Sequence, residues 1–320
     1  YSYARAFLVG LLNTLLVSVI GILIATLIGV TIGIGRLSSN FLVAKFSEVY
    51  VEVFRNIPLL LQLFFWYFAA LRALPLPENA INFYDISYLT VKGWYVPKFI
   101  WNNFSIFLYS IIAAIVAIIF VSRHAKKQRE EFGRHIPTFY FGIGLLFAIP
   151  ALSFLIGGVT LEFEIPVLEQ MSTTIFNFRG GVSIIPELMS LALALSMYTA
   201  TFIAENVRAG ILGIGKGQKE AAASIGLNNT QILKLVVLPQ ALRIIIPPTT
   251  NQYLNLTKNS SLAAAIAYPD LVLVFAGTAL MQTGRAIEIV SITMGTYLFL
   301  SLSISFFMNW YNQSVAIKEK

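Results

Sequence analysis

The sequence predicts an all-α integral membrane protein, a bundle of apolar helices tied by polar loops. Of its 320 residues 57% are hydrophobic and 12% charged, against about a quarter charged in soluble domains. The apolar residues also gather into runs near the roughly 20 residues that a hydrocarbon core of ~30 Å asks of a helix. A third observation is the stretch Glu220–Pro239, EAAASIGLNNTQILKLVVLP, charged and polar between two apolar segments. It reads as a small rigid elbow in water, with one apolar side to seat in a partner's groove.

Seven spans are expected. Four are clear, between Arg5 and Arg36, Lys98 and Arg123, His135 and Glu162, and Glu288 and Lys318. Three shorter or more polar ones run from about Ile57 to Leu74, Pro186 to Glu205 and Leu242 to Thr257; neighbouring helices must shield them, because lipid cannot satisfy their polar ends. Ser260–Pro269 is too short and broken to span and reads as a re-entrant piece or a cover over the outer mouth, with Lys258 and Asp270 at its ends as interface anchors or docking contacts. Tyr1 is no initiator methionine and the first apolar run starts almost at once, so the sequence reads as trimmed or incomplete at its start. The organisation is one membrane domain over 1–320, with core helices at 5–74 and 186–312 and an insertion at 75–185. That insertion holds two further spans, a polar stretch with Pro75, Pro77 and Pro97, and the acidic loop LEFEIPVLEQ.

Charge sets the expected orientation. With residues 35–56, 123–135, 205–243 and 318–320 inside, that side holds 15 of the 22 Lys and Arg and 7 of the 15 Asp and Glu, a net of +8 against −1 outside. The elbow, the basic loop RHAKKQREEFGRH and the C-terminus then share the cytoplasmic side. Membrane orientation thus accounts for the net charge of +7, and no nucleic-acid partner is called for. Without cysteine, disulfides and thiolate metal sites are excluded, and His124 and His135, both in the basic loop, read as solvated residues rather than ligands.

Within the elbow, Lys219–Ile225 is predicted to be helical, since Glu and three successive Ala are strong helix formers. Gly226 supplies the left-handed stop. Asn228 with Gln231 makes a capping box for a second helix in which Ile232, Leu233, Val236 and Val237 recur at helical spacing, and Pro239 ends that helix or bends it into the next span. GILGIGKG, residues 210–217, nearly spells a phosphate loop, but Gly217 stands where the motif needs Ser or Thr and no strand precedes it. Any ATP must therefore bind elsewhere.

Polar residues inside the spans are the candidates for a translocation path. Asn13, Thr14 and Ser18 share a face of the first span; Ser196, Thr199 and Thr201 lie in the fifth, where single hydroxyls more often bond between helices. Gln62 in the second, and Asn251, Gln252, Asn255 and Thr257 crowding the sixth, are harder to place against lipid and form the candidate path. Gly29, Gly33 and Gly35 read as points of close helix approach. Arg55 is expected either to anchor the second span at the interface, with Pro58 a tolerated first-turn proline, or, with Glu52 three residues before it on the same helical face, to pair with Glu205 and Arg208 near the elbow.

Glu220, Ala221, Ala222, Gly226, Val236, Leu238 and Pro239 fit the loop signature of ATP-binding-cassette importer permeases, with Val236 where isoleucine is commoner. Residues 50–68, YVEVFRNIPLLLQLFFWYF, together with MYTATFIAENVRAGILGIGKGQKEAA and LPQALRIIIPPTTNQYLNLTKNSSL, resemble the polar amino-acid permeases of that family. The two extra spans resemble the larger permease subunit of general L-amino acid or glutamate/glutamine/aspartate/asparagine importers. This resemblance implies a type I importer bundle in the bacterial inner membrane that passes polar or broad-range L-amino acids from periplasm to cytoplasm. It implies that Glu220, Ala221, Ala222, Gly226, Leu238 and Pro239 couple to a cytoplasmic ATPase, which carries ATP and magnesium. It further implies a periplasmic amino-acid-binding protein and a second, paralogous permease subunit, all in membrane lipid, with no chemistry in this chain. The rival class is an ion-gradient transporter or channel; no acid or histidine reads as lying mid-span to relay a proton or sodium. An enzyme is disfavoured further, because no paired carboxylates or nucleophile arrangement is present.

Overall fold

The computed structural model describes residues 2–132, 138–172 and 175–315. By contacts the chain divides into two compact units, residues 1–74 with 185–320, and residues 75–184.

The first unit opens with α1, Tyr3–Gly35, whose two faces differ in size rather than polarity. Leu8, Leu12, Leu16, Val19, Leu23, Leu27, Val30 and Ile34 lie exposed along one side, while Gly10, Thr14, Gly21, Ala25, Gly29 and Gly33 are buried on the other. Without a hydrophobic drive between helices in lipid, such small residues allow close packing. Here they admit α6, Pro186–Leu212. A methyl on Gly29 would stand 2.7 Å from Ile203 Cβ, and one on Gly33 2.7 Å from the Ala204 carbonyl. Gly35 serves α2, Phe41–Asn56, in the same way, with Ser47 against it.

Between α2 and α3, Leu59–Phe64, the chain turns by 103°. Pro58 has no N–H to continue a helix and drives Ile57 into extended backbone. The expected second span, Ile57 to Leu74, is thus set at an angle to α2, and α3 runs on as a π-helix, Phe65–Leu71. After α6 come α7, Lys216–Ser224, and α8, Asn229–Ile232, then a π-turn over Leu233–Val237 and α9, Leu238–Asn259. A 3₁₀ turn, Ser260–Ile266, a second π-helix, Leu271–Gly277, and α10, Thr278–Thr283, lead to α11, Ala286–Val315.

The second unit carries two helices, α4, Phe104–Phe132, and α5, Thr138–Leu155. Its polar and acidic stretches, expected as loops, form eight short strands among the described residues. β1 (Ile81–Phe83), β2 (Ser87–Thr90), β3 (Gly93–Val96) and β8 (Val182–Ile184) make one antiparallel sheet. β4 (Lys98–Asn102) pairs with β5 (Thr160–Glu164), and β6 (Val167–Ser172) with β7 (Ile175–Arg179). Alternating aromatics explain them: Tyr88 stacks on Phe178 at 4.6 Å, and Phe99 meets Phe163 at 4.9 Å across the ladder. The basic segment after Arg123 continues α4 as helix to Phe132; His135 lies outside the described residues.

Among the described residues five helices are long and apolar enough to cross a membrane, or six with the bent pair. The seventh expected crossing is α5, whose apolar part, Phe141–Leu155, is short.

Candidate functional site

The elbow begins at Lys216, a turn before the predicted start, so Glu220 stands mid-helix and exposed. Gly226 adopts φ +85°, and the chain closes α7 with two bonds, Gly226 N–H to the Ala223 carbonyl at 2.9 Å and Leu227 N–H to the Ala222 carbonyl at 3.2 Å. That is the Schellman pattern. The capping box is reciprocal: Gln231 N–H donates to Asn228 Oδ1 and Asn228 N–H to Gln231 Oε1, both at 2.9 Å.

Ala222, Ile232 and Val237 are buried and seat the elbow in the core with Ile214. Glu220, Ala221, Ile225 and Gly226 face outward, with Ile225 77% exposed. Pro239 neither ends nor sharply bends the second helix. It lies in the first turn of α9, inside one helical run from Asn229 to Ile266. The π-turn just before it widens the backbone register where Pro239 lacks an N–H and would crowd the carbonyl four residues back. Residues 210–217 close α6, turn, and open α7; without a strand before it, this segment does not fit a phosphate loop.

Close to the elbow, the Glu205 carboxylate pairs with Arg208 at 2.6 Å and with Arg36 of α1. The partner from outside α6 is thus Arg36, not Arg55. The Arg55 guanidinium stands over the Phe202 ring, 5.3 Å from its centre, and Glu52 accepts from Asn56.

In the sixth span the four polar residues do not share a face. Asn251 and Asn255 are exposed on one stripe that continues to Lys258, Gln252 is half-buried, and Thr257 is buried with its hydroxyl on the Tyr253 carbonyl at 3.0 Å. Gln62 does not join them. It is 4% exposed and donates to the Phe54 and Ile57 carbonyls at 2.7 and 2.9 Å, satisfying groups freed by the bend at Pro58. Ser196 and Thr201 likewise bond their own helix.

Asn13 and Thr14 hold the break after α9. Asn13 donates to the Pro269 carbonyl at 2.8 Å, and Leu271 N–H to Thr14 Oγ1 at 3.1 Å. Asp270, fully buried, accepts from Leu273 N–H at 2.8 Å and from the Tyr297 hydroxyl at 3.4 Å. This gives the level of the segment: Tyr253 meets Thr26 of α1 at 2.9 Å, Leu256 packs over Gly21, and Leu271 reaches Thr14. Asp270 therefore lies against Gly10 and Asn13 in the first third of α1, and Lys258 follows two residues after Leu256, which packs over Gly21. Asp270 is thus a buried carboxyl among the helices of the first unit, which the sequence hid behind a proline and a short helix. Amides and a lysine exposed along one stripe of an apolar span are costly against lipid, so the stripe calls for a partner surface or a hydrated path.

Residues 131–317 match the family of binding-protein-dependent transport system inner membrane components. The chain is 52% identical over 320 residues to the general L-amino acid transport system permease protein AapQ of Rhizobium johnstonii, covering all of this chain and 78% of that one. It is 40% identical to the glutamate/glutamine/aspartate/asparagine transport system permease protein BztB of Rhodobacter capsulatus, over 89% of this chain and 73% of that one. Its fold resembles a crystal structure of an amino acid ABC transporter with histidines, at TM-score 0.56 and 20% identity over 98% and 95% of the two chains. It also resembles the inward-facing MetNI methionine ABC transporter, at TM-score 0.51 and 16% identity over 98% of each. A permease of this family is a multi-pass inner-membrane subunit that works with a substrate-binding protein and leaves ATP hydrolysis to a separate ATPase. The chain belongs to the binding-protein-dependent transport system inner membrane components, among the amino-acid ABC transporter permeases.

Proposed function

We propose that this chain conducts L-amino acids, polar or broad in range, from periplasm to cytoplasm as one of two permease subunits of an ATP-driven importer. The observation that carries the reading is whole-chain likeness: the match to AapQ, 52% identical overall, spans all 320 residues and so takes in core, elbow and the 75–184 unit. The outer face of the elbow, with Glu220, Ala221 and Gly226, seats in the ATPase; Ala222 holds it from within, and Leu238 and Pro239 join it to α9. ATP and magnesium belong to that ATPase. Closure of the ATPase dimer on ATP draws the elbows together and favours an outward-open pore, a two-state element biased from both sides of the membrane.

The second permease subunit is a paralogue that faces the stripe of Asn251 and Asn255, since exposed amides on a span are costly against lipid. Gln252 and Thr257 support the path from behind, and Gln62 braces the bend. The positive-inside bias puts the elbow and C-terminus in the cytoplasm. Reconstitution in proteoliposomes tests the reading: uptake of L-glutamine must require ATP, the ATPase and the binding protein. Uptake by this chain alone, driven by an ion gradient, would overturn it.

A further inference from the structure

The four-stranded sheet of the 75–184 unit is open on its apolar side. Its register sets Ile81, Leu89, Trp94 and Ile184 opposite one another in a row across β1, β2, β3 and β8, and directly paired side chains share a face. Two residues along each strand, on that same face, stand Phe83, Ser87, Val96 and Val182. All but Ser87 are apolar, and Ile81, Phe83, Trp94 and Val182 are 39–45% exposed. The other face, with Tyr88, Thr90 and Tyr95, is covered by β7. Phe178 stacks on Tyr88 at 4.6 Å and on Tyr95 at 4.9 Å, and the Tyr95 hydroxyl donates to Asn177 Oδ1 at 2.9 Å. An antiparallel sheet with one face in water turns its polar side out. This one does the reverse.

The apolar surface does not stop at the sheet. Val96 also lines an open cleft of about 410 Å³ with Ile86, Pro97, Phe99, Phe163 and Ile165. Phe99 and Phe163, 57% and 58% exposed, pair across β4 and β5 and share their face with Trp101 and Leu161, while Lys98, Glu162 and Glu164 take the opposite face. Trp101 in turn packs on Phe104, Phe107 and Phe154 at the ends of α4 and α5, with ring centres 4.9–6.1 Å apart. From Phe104 an exposed stripe of Leu108, Ile112 and Val116 runs down α4 at helical spacing, and α4 is long and apolar enough to cross the membrane. Shared residues thus link the lipid-facing stripe of α4, the β4–β5 ribbon, the cleft and the sheet.

We propose that this surface rests on the bilayer: the open face of the sheet and the cleft lie in the headgroup layer at the Phe104 end of α4 and contact phospholipid, with the charged face of the ribbon in water. Continuity with the α4 stripe selects lipid over a protein partner. The scale fits, since Phe99 is no more than ~7 Å beyond Trp101 at a strand rise of about 3.3 Å per residue, and a headgroup layer is about 5–7 Å deep. Trp94 and Trp101 are also the residue type that gathers at membrane–water interfaces. The proposal rests on the crossing by α4 and not on which solute is carried, so it stands or falls apart from the transport assay.

The test places the complete permease–ATPase complex in nanodiscs containing a phosphatidylcholine whose acyl chain bears a diazirine near the headgroup. After irradiation, adducts are mapped by mass spectrometry. The wild-type chain should carry them within 81–99 and 182–184 as well as in α4. Adducts confined to the helices overturn the proposal, with no variant needed. Because the chain has no cysteine, a fluorophore on Val182→Cys or Phe99→Cys reads the same contact. Nitroxide lipid should quench it at least twofold more than a label at Glu169→Cys, on the strand pair over the covered face, and iodide should do the reverse. Equal quenching at all three positions overturns the proposal. So does a label at position 182 that nitroxide lipid never quenches and that loses access to iodide only when the substrate-binding protein is added, which would make the face a protein dock.

Discussion

Gly226 offers a graded test of the elbow. Its φ of +85° is left-handed, and a side chain there would meet nothing of this chain within 4 Å, so within the permease any loss on substitution comes from backbone conformation and not from crowding. An L-residue in that region costs about 1–2 kcal/mol, more when β-branched, while Asn tolerates it. If the chain escapes by leaving the left-handed region, it gives up the bonds from Gly226 and Leu227 to Ala223 and Ala222, at about 0.5–1.5 kcal/mol each. Both routes put Gly226→Val roughly 2–3 kcal/mol below wild type, or tens-fold in the population of the competent elbow. Gly226→Ala should lose about tenfold and Gly226→Asn little. The assay is ATPase affinity in detergent alongside uptake in proteoliposomes, with membrane insertion checked by expression level. Equal affinity for Val and Gly would refute the conformational argument. Asn as damaging as Val would show that bulk at the partner surface, not the sign of φ, is what matters.

Gln62→Leu should lower the thermal stability of the purified protein. It strips two carbonyls at the bend of their donor, at about 1–3 kcal/mol, offset in part because Gln62 Oε1 is itself buried without a partner. No shift in Tm would mean that the Pro58 bend needs no brace. Asn251→Ala with Asn255→Ala should change the rate or selectivity of uptake while ATPase association persists. Transport unchanged in both respects would remove that stripe from the path.

Much of the elbow was legible because its signals are local: three alanines, a glycine and an Asn–Gln pair three apart act within one turn of chain. Pro239 was misread because a proline stops a helix only if the backbone cannot widen around it, and the π-turn over Leu233–Val237 does so. The partners of Gln62 and Asp270 were not legible, for the opposite reason. Their roles depend on a 103° bend and on α1 and α11 packing around a broken span, and neither leaves a periodic trace. Arg36 was overlooked as the partner of Glu205 because 169 residues separate them. The strands of the 75–184 unit were hidden by prolines and acidic residues, although the alternating aromatics of GWYVPKFIW gave a signal that could have found β3 and β4.

The chain has no cysteine, so one introduced thiol is unique, and this gives the most direct test of how the permease meets its ATPase. Ala221→Cys on the exposed side of α7, labelled with a benzophenone maleimide before assembly, should give a photo-adduct with the ATPase. The same label at Phe120→Cys, on the exposed side of α4, should give none. A complex that still imports L-glutamine but yields no ATPase adduct from position 221 would contradict the account.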